Sequence, residues 1–231
     1  MKNPLILHIE TATTMCSVAL SIGNKLLAVK ELNERNVHAS QITLFIDEVM
    51  KTSRKKYTEL NAVAVSKGPG SYTGLRIGVS TAKGLCFALD VPLISVNTLE
   101  SMAKGVVELN HNLSANSLLC PMIDAKRMEV YTAVFDLELK QVEEVSAKIL
   151  DDSSFDNYIF NHKMIFFGDG AIKTNLLYAQ KSNYQFLKFE NSAAHMIDLA
   201  FQKYENKDFE NMAYFEPFYL KDFIAGPKKQ D

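Results

Sequence analysis

The stretch ILHIETATTMCSVAL (residues 6–20) contains an apolar strand, a short polar turn that begins with Glu10, and a second strand. The stretch LCPMIDAKRMEVYTAVF (residues 119–135) repeats this order, with Asp124 in the place of Glu10. In each copy one strand delivers a carboxylate into a tight turn before the chain returns. Two copies of one hairpin predict an α/β protein with two homologous lobes.

The rest of the chain predicts strands and helices around these hairpins. Apolar residues at helical spacing predict helices at about 38–52, 73–89, 98–109, 171–180 and 192–204. Short β-rich runs predict strands at 5–9, 17–22, 26–31, 62–65, 93–96, 118–123, 129–135 and 164–167. We expect an N-terminal lobe at 1–103, a smaller C-terminal lobe at 104–213, and a tail at 214–231 that packs on the body.

Composition and charge exclude several function classes. The formal net charge of −2 and pI near 6.2 predict no broad basic face for gripping nucleic acid alone. Any contact with RNA is therefore expected to be shared with a partner. No apolar run approaches the roughly 18 residues of a membrane span. The 3 cysteines, an odd number in apolar surroundings, predict buried thiols in the reducing cytoplasm.

The turn carboxylates Glu10 and Asp124 have two interpretations. Facing hairpins with a carboxylate at each turn could hold the phosphates and cation of a nucleotide in a cleft between the lobes. Strand-end carboxylates also stabilise turns by accepting hydrogen bonds from local amides. A histidine metal site is not expected, because none of the 5 histidines is three or four residues from another.

The segment KGPGSYTGLRIG (residues 67–78) matches neither a Walker loop nor a dinucleotide fingerprint. It opens a series of small residues at spacing four, namely Gly70, Gly74, Gly78 and Ala82. Such a series clears one helix face for close approach by another element. That element could lie inside the same lobe. Alternatively, this helix and the helix at 38–52 could form half of a four-helix interface with another chain.

Six segments carry a resemblance to the TsaB (YeaZ) family: IETATTMCSVAL (from Ile9), HASQ (from His38), AVSKGPGSYTGLRIGVSTAKGLCFAL (from Ala64), NTLESMA (from Asn97), IDAKRMEVY (from Ile123) and EPFYLKD (from Glu216). Between residues 140 and 202 only FFGDGA (from Phe166) is suggestive. The resemblance implies an actin-like ATPase (ASKHA, ribonuclease H-like) fold, with a mixed β-sheet flanked by helices in each lobe.

The resemblance also implies a function. TsaB-like proteins are non-catalytic subunits that pair with TsaD, which transfers a threonylcarbamoyl group to adenosine beside the tRNA anticodon, with TsaE as an ATPase partner. Two histidines of the sister family align with Thr98 and Met102, which are poor metal ligands. The resemblance therefore implies no catalytic metal, no required cofactor, and a vestigial cleft at Glu10 and Asp124 that is left open to weak nucleotide binding.

The implied pairing surface lies on the two helices predicted at 38–52 and 73–89, each of which carries an apolar stripe. The candidate contacts are Ile42, Phe45, Val49, Gly74, Leu75, Arg76, Gly78, Val79 and Ala82. Arg76 could instead be solvated or paired within its own chain. On this hypothesis Val79→Glu abolishes pairing with little unfolding, and the chain self-associates through the same patch when alone. The alternative function is an independent nucleotide-binding actin-fold enzyme, kinase-like or metallopeptidase-like.

Overall fold

The computed structural model of the protein describes residues 3–110, 112–158, 161–178 and 180–221. Its framework is two five-stranded mixed sheets with helices packed against them, which confirms the predicted fold class. The first sheet contains β1 (Leu5–Glu10), β2 (Met15–Ile22), β3 (Lys25–Asn33), β4 (Ala62–Gly68) and β5 (Leu93–Asn97). The second contains β6 (Ser117–Asp124), β7 (Glu129–Phe135), β8 (Gln141–Ile149), β9 (Lys163–Phe167) and β10 (Tyr184–Leu187).

The two sheets share one topology. The first has the order β3-β2-β1-β4-β5, and the second, taken from its other edge, has the order β8-β7-β6-β9-β10. In each sheet a three-stranded antiparallel meander is followed by two strands that pair in parallel. The duplicated hairpin of the sequence therefore marks a duplicated sheet.

Among the described residues five α-helices connect or cover the strands: α1 (His38–Thr52), α2 (Tyr72–Leu89), α3 (Thr98–Leu109), α4 (Thr174–Tyr178) and α5 (Ile197–Glu205). The Ser71 side chain caps α2 by accepting from the Gly74 amide at 3.2 Å, and Asp90 ends it in the left-handed region at φ 52°. The helices predicted at 171–180 and 192–204 are shorter than expected, because each begins with a 3₁₀ turn (Asp169–Lys173 and Ala193–Met196).

The apolar clusters show which helices pack on each face of the first sheet. Helices α1 and α2 cover one face of the first sheet, where Leu7 and Ile9 of β1 meet their apolar stripes. Ile6, which precedes Leu7, faces the opposite side and meets Met196 and Ala200 at the start of α5 and within it. Because β1 is covered on both faces, all six of its residues are buried, including His8 and Glu10.

The packing of two helices crosses the predicted lobe boundaries, which stay a prediction. Helix α3, which the predicted boundary at residue 103 divides in half, buries Leu99, Met102 and Val106 in the core of the second sheet. Helix α5, in the predicted second lobe, packs on the first sheet. The physical reason is that each connecting helix leaves its own sheet to bury its apolar face on the other, so no single cut separates the lobes.

Beyond α5 the chain runs back across the first lobe. Glu210 bridges to Leu93 of β5, Phe215 packs against the core under α1 and α2, and the Phe218 amide donates to the Lys67 carbonyl at 2.7 Å. Lys221 then forms an ion pair with Glu129 of the second lobe. Residues 222–231 of the predicted tail lie outside the described residues. No helix in the described parts of the chain is both long and apolar enough to cross a bilayer.

Candidate functional site

A cleft with a volume of about 420 Å³ lies between the β1–β2 turn of the first lobe and the second lobe. It is lined by Thr13, Thr14, Met15, Asn33, Met102, Gly168, Asp169, Ala171, Ile172, Asn175 and residues 186–191. Gly168 and Asp169, which directly follow β9, belong to this lining. Neither of the two carboxylates predicted for a nucleotide cleft, Glu10 and Asp124, is in this lining, so nucleotide binding here stays a prediction.

Glu10 is fully buried at the end of β1. Its Oε1 atom accepts hydrogen bonds from the Ala12 amide at 2.6 Å and the Ser66 hydroxyl at 2.8 Å, whereas Oε2 has no partner in the described structure. Burial raises the pKa of the Glu10 carboxyl to about 7, even though these hydrogen bonds oppose the rise. The hydrogen bond from the Ala12 amide is of the kind expected if Glu10 stabilises the turn, which was the second interpretation of this carboxylate. Nucleotide binding by Glu10 stays a prediction.

Asp124 is half-exposed and pairs with a lysine that the sequence analysis missed. Its carboxylate accepts from the Lys126 amide at 2.7 Å and from the Lys173 ammonium. Partial burial disfavours its charged form, but the bonds from Lys173 and Lys126 outweigh that effect and hold the pKa of Asp124 below its ordinary value. The protein's own lysine thus neutralises the carboxylate that the sequence analysis considered for a cation. Nothing in the local sequence links residues 49 positions apart.

The two positions aligned with the metal ligands of the sister family are both buried. Thr98 is inaccessible and its hydroxyl lacks a hydrogen-bond partner in the described structure. The Met102 methyl group packs so close to Gly168 that a Cβ on that glycine would lie 2.5 Å away. Among the described residues no group of three His, Cys, Asp or Glu side chains is placed to hold a metal ion. Met102 therefore lines the cleft with an apolar side chain.

Most side chains of the predicted pairing surface on α1 and α2 belong to the monomer core, and their part in pairing stays a prediction. Ile42, Phe45, Val49, Leu75, Val79 and Ala82 are each 5% exposed or less. All except Leu75 belong to the apolar cluster that joins the two helices to the first sheet. The physical reason is that an apolar stripe is buried by the nearest apolar surface, which here is the sheet of the same lobe.

The small residues of α2 also serve the monomer. A Cβ on Gly74 would lie 2.1 Å from the Thr11 carbonyl oxygen, and one on Gly78 would lie 2.2 Å from the Thr11 hydroxyl. The glycines therefore allow the β1–β2 turn to pack closely against α2. This is the alternative in which the small residues serve packing within the same chain. Arg76 is exposed, donates to the Tyr219 hydroxyl at 3.2 Å and lies over the Tyr72 ring at 4.1 Å. Its intrachain partner leaves a role in pairing untested.

The outward faces of the same two helices carry a different set of residues. Phe87 of α2 is 80% exposed and Leu44 of α1 is 59% exposed, although both side chains are large and apolar. Near Phe87 on α2, no heavy atom of the described residues lies within 4 Å of the place that a Cβ on Gly84 would occupy. We call Leu44, Gly84 and Phe87 the outer helix patch. The sequence carried one signal for this patch, because Leu44 and Phe87 do not share the helical spacing of the buried apolar residues of α1 and α2.

Comparisons with known proteins agree with this architecture. Residues 31–225 match the family model described as TsaD: tRNA N6-adenosine threonylcarbamoyltransferase. The tRNA threonylcarbamoyladenosine biosynthesis protein TsaB of Haemophilus influenzae is 28% identical over 99% of this chain and 98% of its own. The protein of the same name from Escherichia coli is 41% identical over 56% of this chain and 54% of its own.

Solved structures show the same fold. A Pseudomonas aeruginosa protein described as uncharacterized with similarity to peptidase YEAZ has a TM-score of 0.82 at 20% identity, covering 94% of this chain and 100% of its own. YeaZ from P. aeruginosa has a TM-score of 0.76 at 20% identity with the same coverage. A polyphosphate/ATP-glucomannokinase from Arthrobacter sp. strain KM has a TM-score of 0.52 at 11% identity, covering 88% and 100%. The shared core is the two-lobed kinase-type fold.

Proposed function

Because this chain belongs to the TsaB (YeaZ) branch of the TsaD family, we propose that it acts in threonylcarbamoyladenosine biosynthesis as a non-catalytic subunit that pairs with a TsaD-type catalytic sister. The observation that carries the pairing is the outer helix patch. Leu44 of α1 and Phe87 of α2 are large apolar side chains in solvent, and Gly84, three residues before Phe87 on α2, has open space in place of a side chain. Such a patch favours association, because covering it removes apolar surface from water and Gly84 admits a second helix closely.

The cleft supports the non-catalytic part of the proposal. Neither Glu10 nor Asp124 lines it, Asp124 is neutralised by Lys173, and Met102, which aligns with a metal ligand of the sister family, packs against Gly168. A catalytic metal centre would need exposed imidazole, carboxylate or thiolate ligands at this place. The cleft of this chain is accordingly proposed to be a remnant.

Further partners follow from the same surface and from the charge. We propose that the chain self-associates through the outer helix patch when the sister subunit is absent, as isologous dimers do. Because the chain has a formal net charge of −2, it contacts tRNA only through the complex. A TsaE-type ATPase also takes part in that complex. Burial of the three free cysteines is consistent with our placing the protein in the cytoplasm.

The test is a binding measurement with the TsaD-type sister by sizing chromatography and calorimetry. Phe87→Asp and Leu44→Asp place a charge in the outer helix patch, and each is expected to weaken pairing at least about ten-fold without unfolding the chain. Ile149→Asp is the matched control, because Ile149 is an exposed apolar residue of β8 in the other lobe.

The result also separates this proposal from an independent enzyme. Persistent separation of the two wild-type proteins at micromolar concentration contradicts pairing. Tight binding of magnesium-ATP with turnover by the isolated chain contradicts a non-catalytic role and favours a nucleotide-using enzyme of the kinase or metallopeptidase type.

A further inference from the structure

A second cavity, of about 280 Å³, lies in the C-terminal lobe where the end of α3 meets the first residues of β6 and β9. Its lining is Leu109, Asn110, Asn112, Leu113, Ser114, Ser117, Lys163, Ile165, Gln185 and Leu187. Of these residues only Leu187 also lines the cleft. The cavity is therefore a separate place on the molecule, and nothing in the proposed function uses it.

The charge of this cavity has one sign. Lys163 is the only charged residue among the described residues that line it. Nine other lysines of the described chain form ion pairs, but the Lys163 ammonium is in none of them. An unpaired cation at the wall of a concave site attracts an anion, because the surrounding protein excludes part of the screening water.

Next to Lys163 is a buried hydroxyl with nothing to bind. Ser117 pairs directly with Lys163 in the parallel register of β6 and β9, which places the two residues side by side on one face of the sheet. Ser117 is 3% exposed, and its Oγ atom has no hydrogen-bond partner in the described structure. A buried hydroxyl without a partner is destabilising, so a ligand oxygen here would satisfy it.

The other residues of the lining indicate what kind of ligand fits beside the anionic group. Leu109, Leu113 and Ile165 are apolar, whereas Asn112 and Gln185 offer amide groups. A site with one cation, one hydroxyl donor and an apolar wall suits a compact organic anion better than a fully hydrated ion. We propose that this cavity binds a small carboxylate of amino-acid size, with Lys163 pairing with the carboxylate and the Ser117 hydroxyl donating to it.

The test is an NMR titration of the full chain with three probes that separate charge from shape. Sodium isobutyrate is expected to give saturable shifts at the amides of residues 112–117 and 163–165. Isobutyramide, which has the same shape without the charge, is expected to bind about ten-fold more weakly. Inorganic phosphate has the charge without the apolar body and is expected to bind more weakly than isobutyrate. Equal binding of all three, or no saturation by isobutyrate, overturns the proposal.

Two variants and one control connect the binding to these side chains. Lys163→Met is expected to lower the affinity for isobutyrate about ten-fold, and Lys25→Met, on β3 of the other lobe, to leave it unchanged. Ser117→Ala is expected to weaken binding while the melting temperature stays the same or rises, because the hydroxyl has no partner inside the described protein. Wild-type affinity in both Lys163→Met and Ser117→Ala rejects the site.

Discussion

Replacing Gly74 by alanine tests whether the small residues of α2 serve the monomer. The added Cβ would lie 2.1 Å from the Thr11 carbonyl oxygen, a backbone atom that cannot rotate away. Overpacking of this kind is destabilising by about 1–3 kcal/mol. The matched control is Gly84→Ala in the same helix, where the new methyl group meets nothing within 4 Å.

The difference between the two variants isolates the steric effect. Alanine is favoured over glycine inside a helix by about 1 kcal/mol, and this gain applies in full at Gly84. It is smaller at Gly74, which lies in the first turn of α2. We therefore expect Gly84→Ala to raise the free energy of unfolding by up to about 1 kcal/mol and Gly74→Ala to lower it by about 1–2 kcal/mol.

Urea unfolding followed by circular dichroism, without any partner present, measures both free energies. For a chain of 231 residues each kcal/mol also moves the melting temperature by about 2–4 °C. If Gly74→Ala is as stable as Gly84→Ala, Thr11 does not approach the helix as closely as described. The intrachain explanation of the glycine series would then fail, and its role in binding another chain would return.

Three further predictions concern the core and the buried titratable groups. Val79→Glu is expected to unfold the chain, whereas Phe87→Asp is expected to leave its thermal unfolding nearly unchanged, because Val79 is buried and Phe87 is in solvent. Burial raises the pKa of the Glu10 carboxyl from 4.5 to about 7, so the native state binds the extra proton. Its contribution to the free energy of unfolding therefore falls by about 3 kcal/mol as pH rises from near 4.5 through 7. Glu10→Gln removes this fall, and wild-type and variant urea curves of equal pH dependence would contradict it. Burial also raises the pKa of each of the 3 cysteine thiols to about 11 or 12, so a thiol reagent at pH 8 is expected to react only after unfolding.

The elements that the sequence missed are those with weak local signals. Strand β8 (QVEEVSAKI) lies at a sheet edge and is largely exposed, so it lacks the apolar alternation of a half-buried strand. Strand β10 has 4 residues and lies at the other edge of the same sheet. By contrast, the bounds of α1, α3 and β7 agree with the predictions, because their apolar residues keep one period throughout.

The candidate site was predicted only in outline. The turn carboxylates Glu10 and Asp124 were found from the repeated hairpin, since a turn is a local feature. Lys173, which pairs with Asp124, comes from another part of the chain. Pairing of this kind depends on how β6 and the segment after β9 come together, and no spacing along the chain encodes it.

The sequence by itself determined the two-lobed α/β fold, the duplicated hairpin and the family, because strand alternation, helical period and short motifs are properties of neighbouring residues. Only the tertiary structure decided what covers each apolar stripe. The stripes of α1 and α2 require burial, but burial against their own sheet and burial against another protein satisfy the same pattern. The fold used the stripes for its core and left Leu44, Gly84 and Phe87 outside.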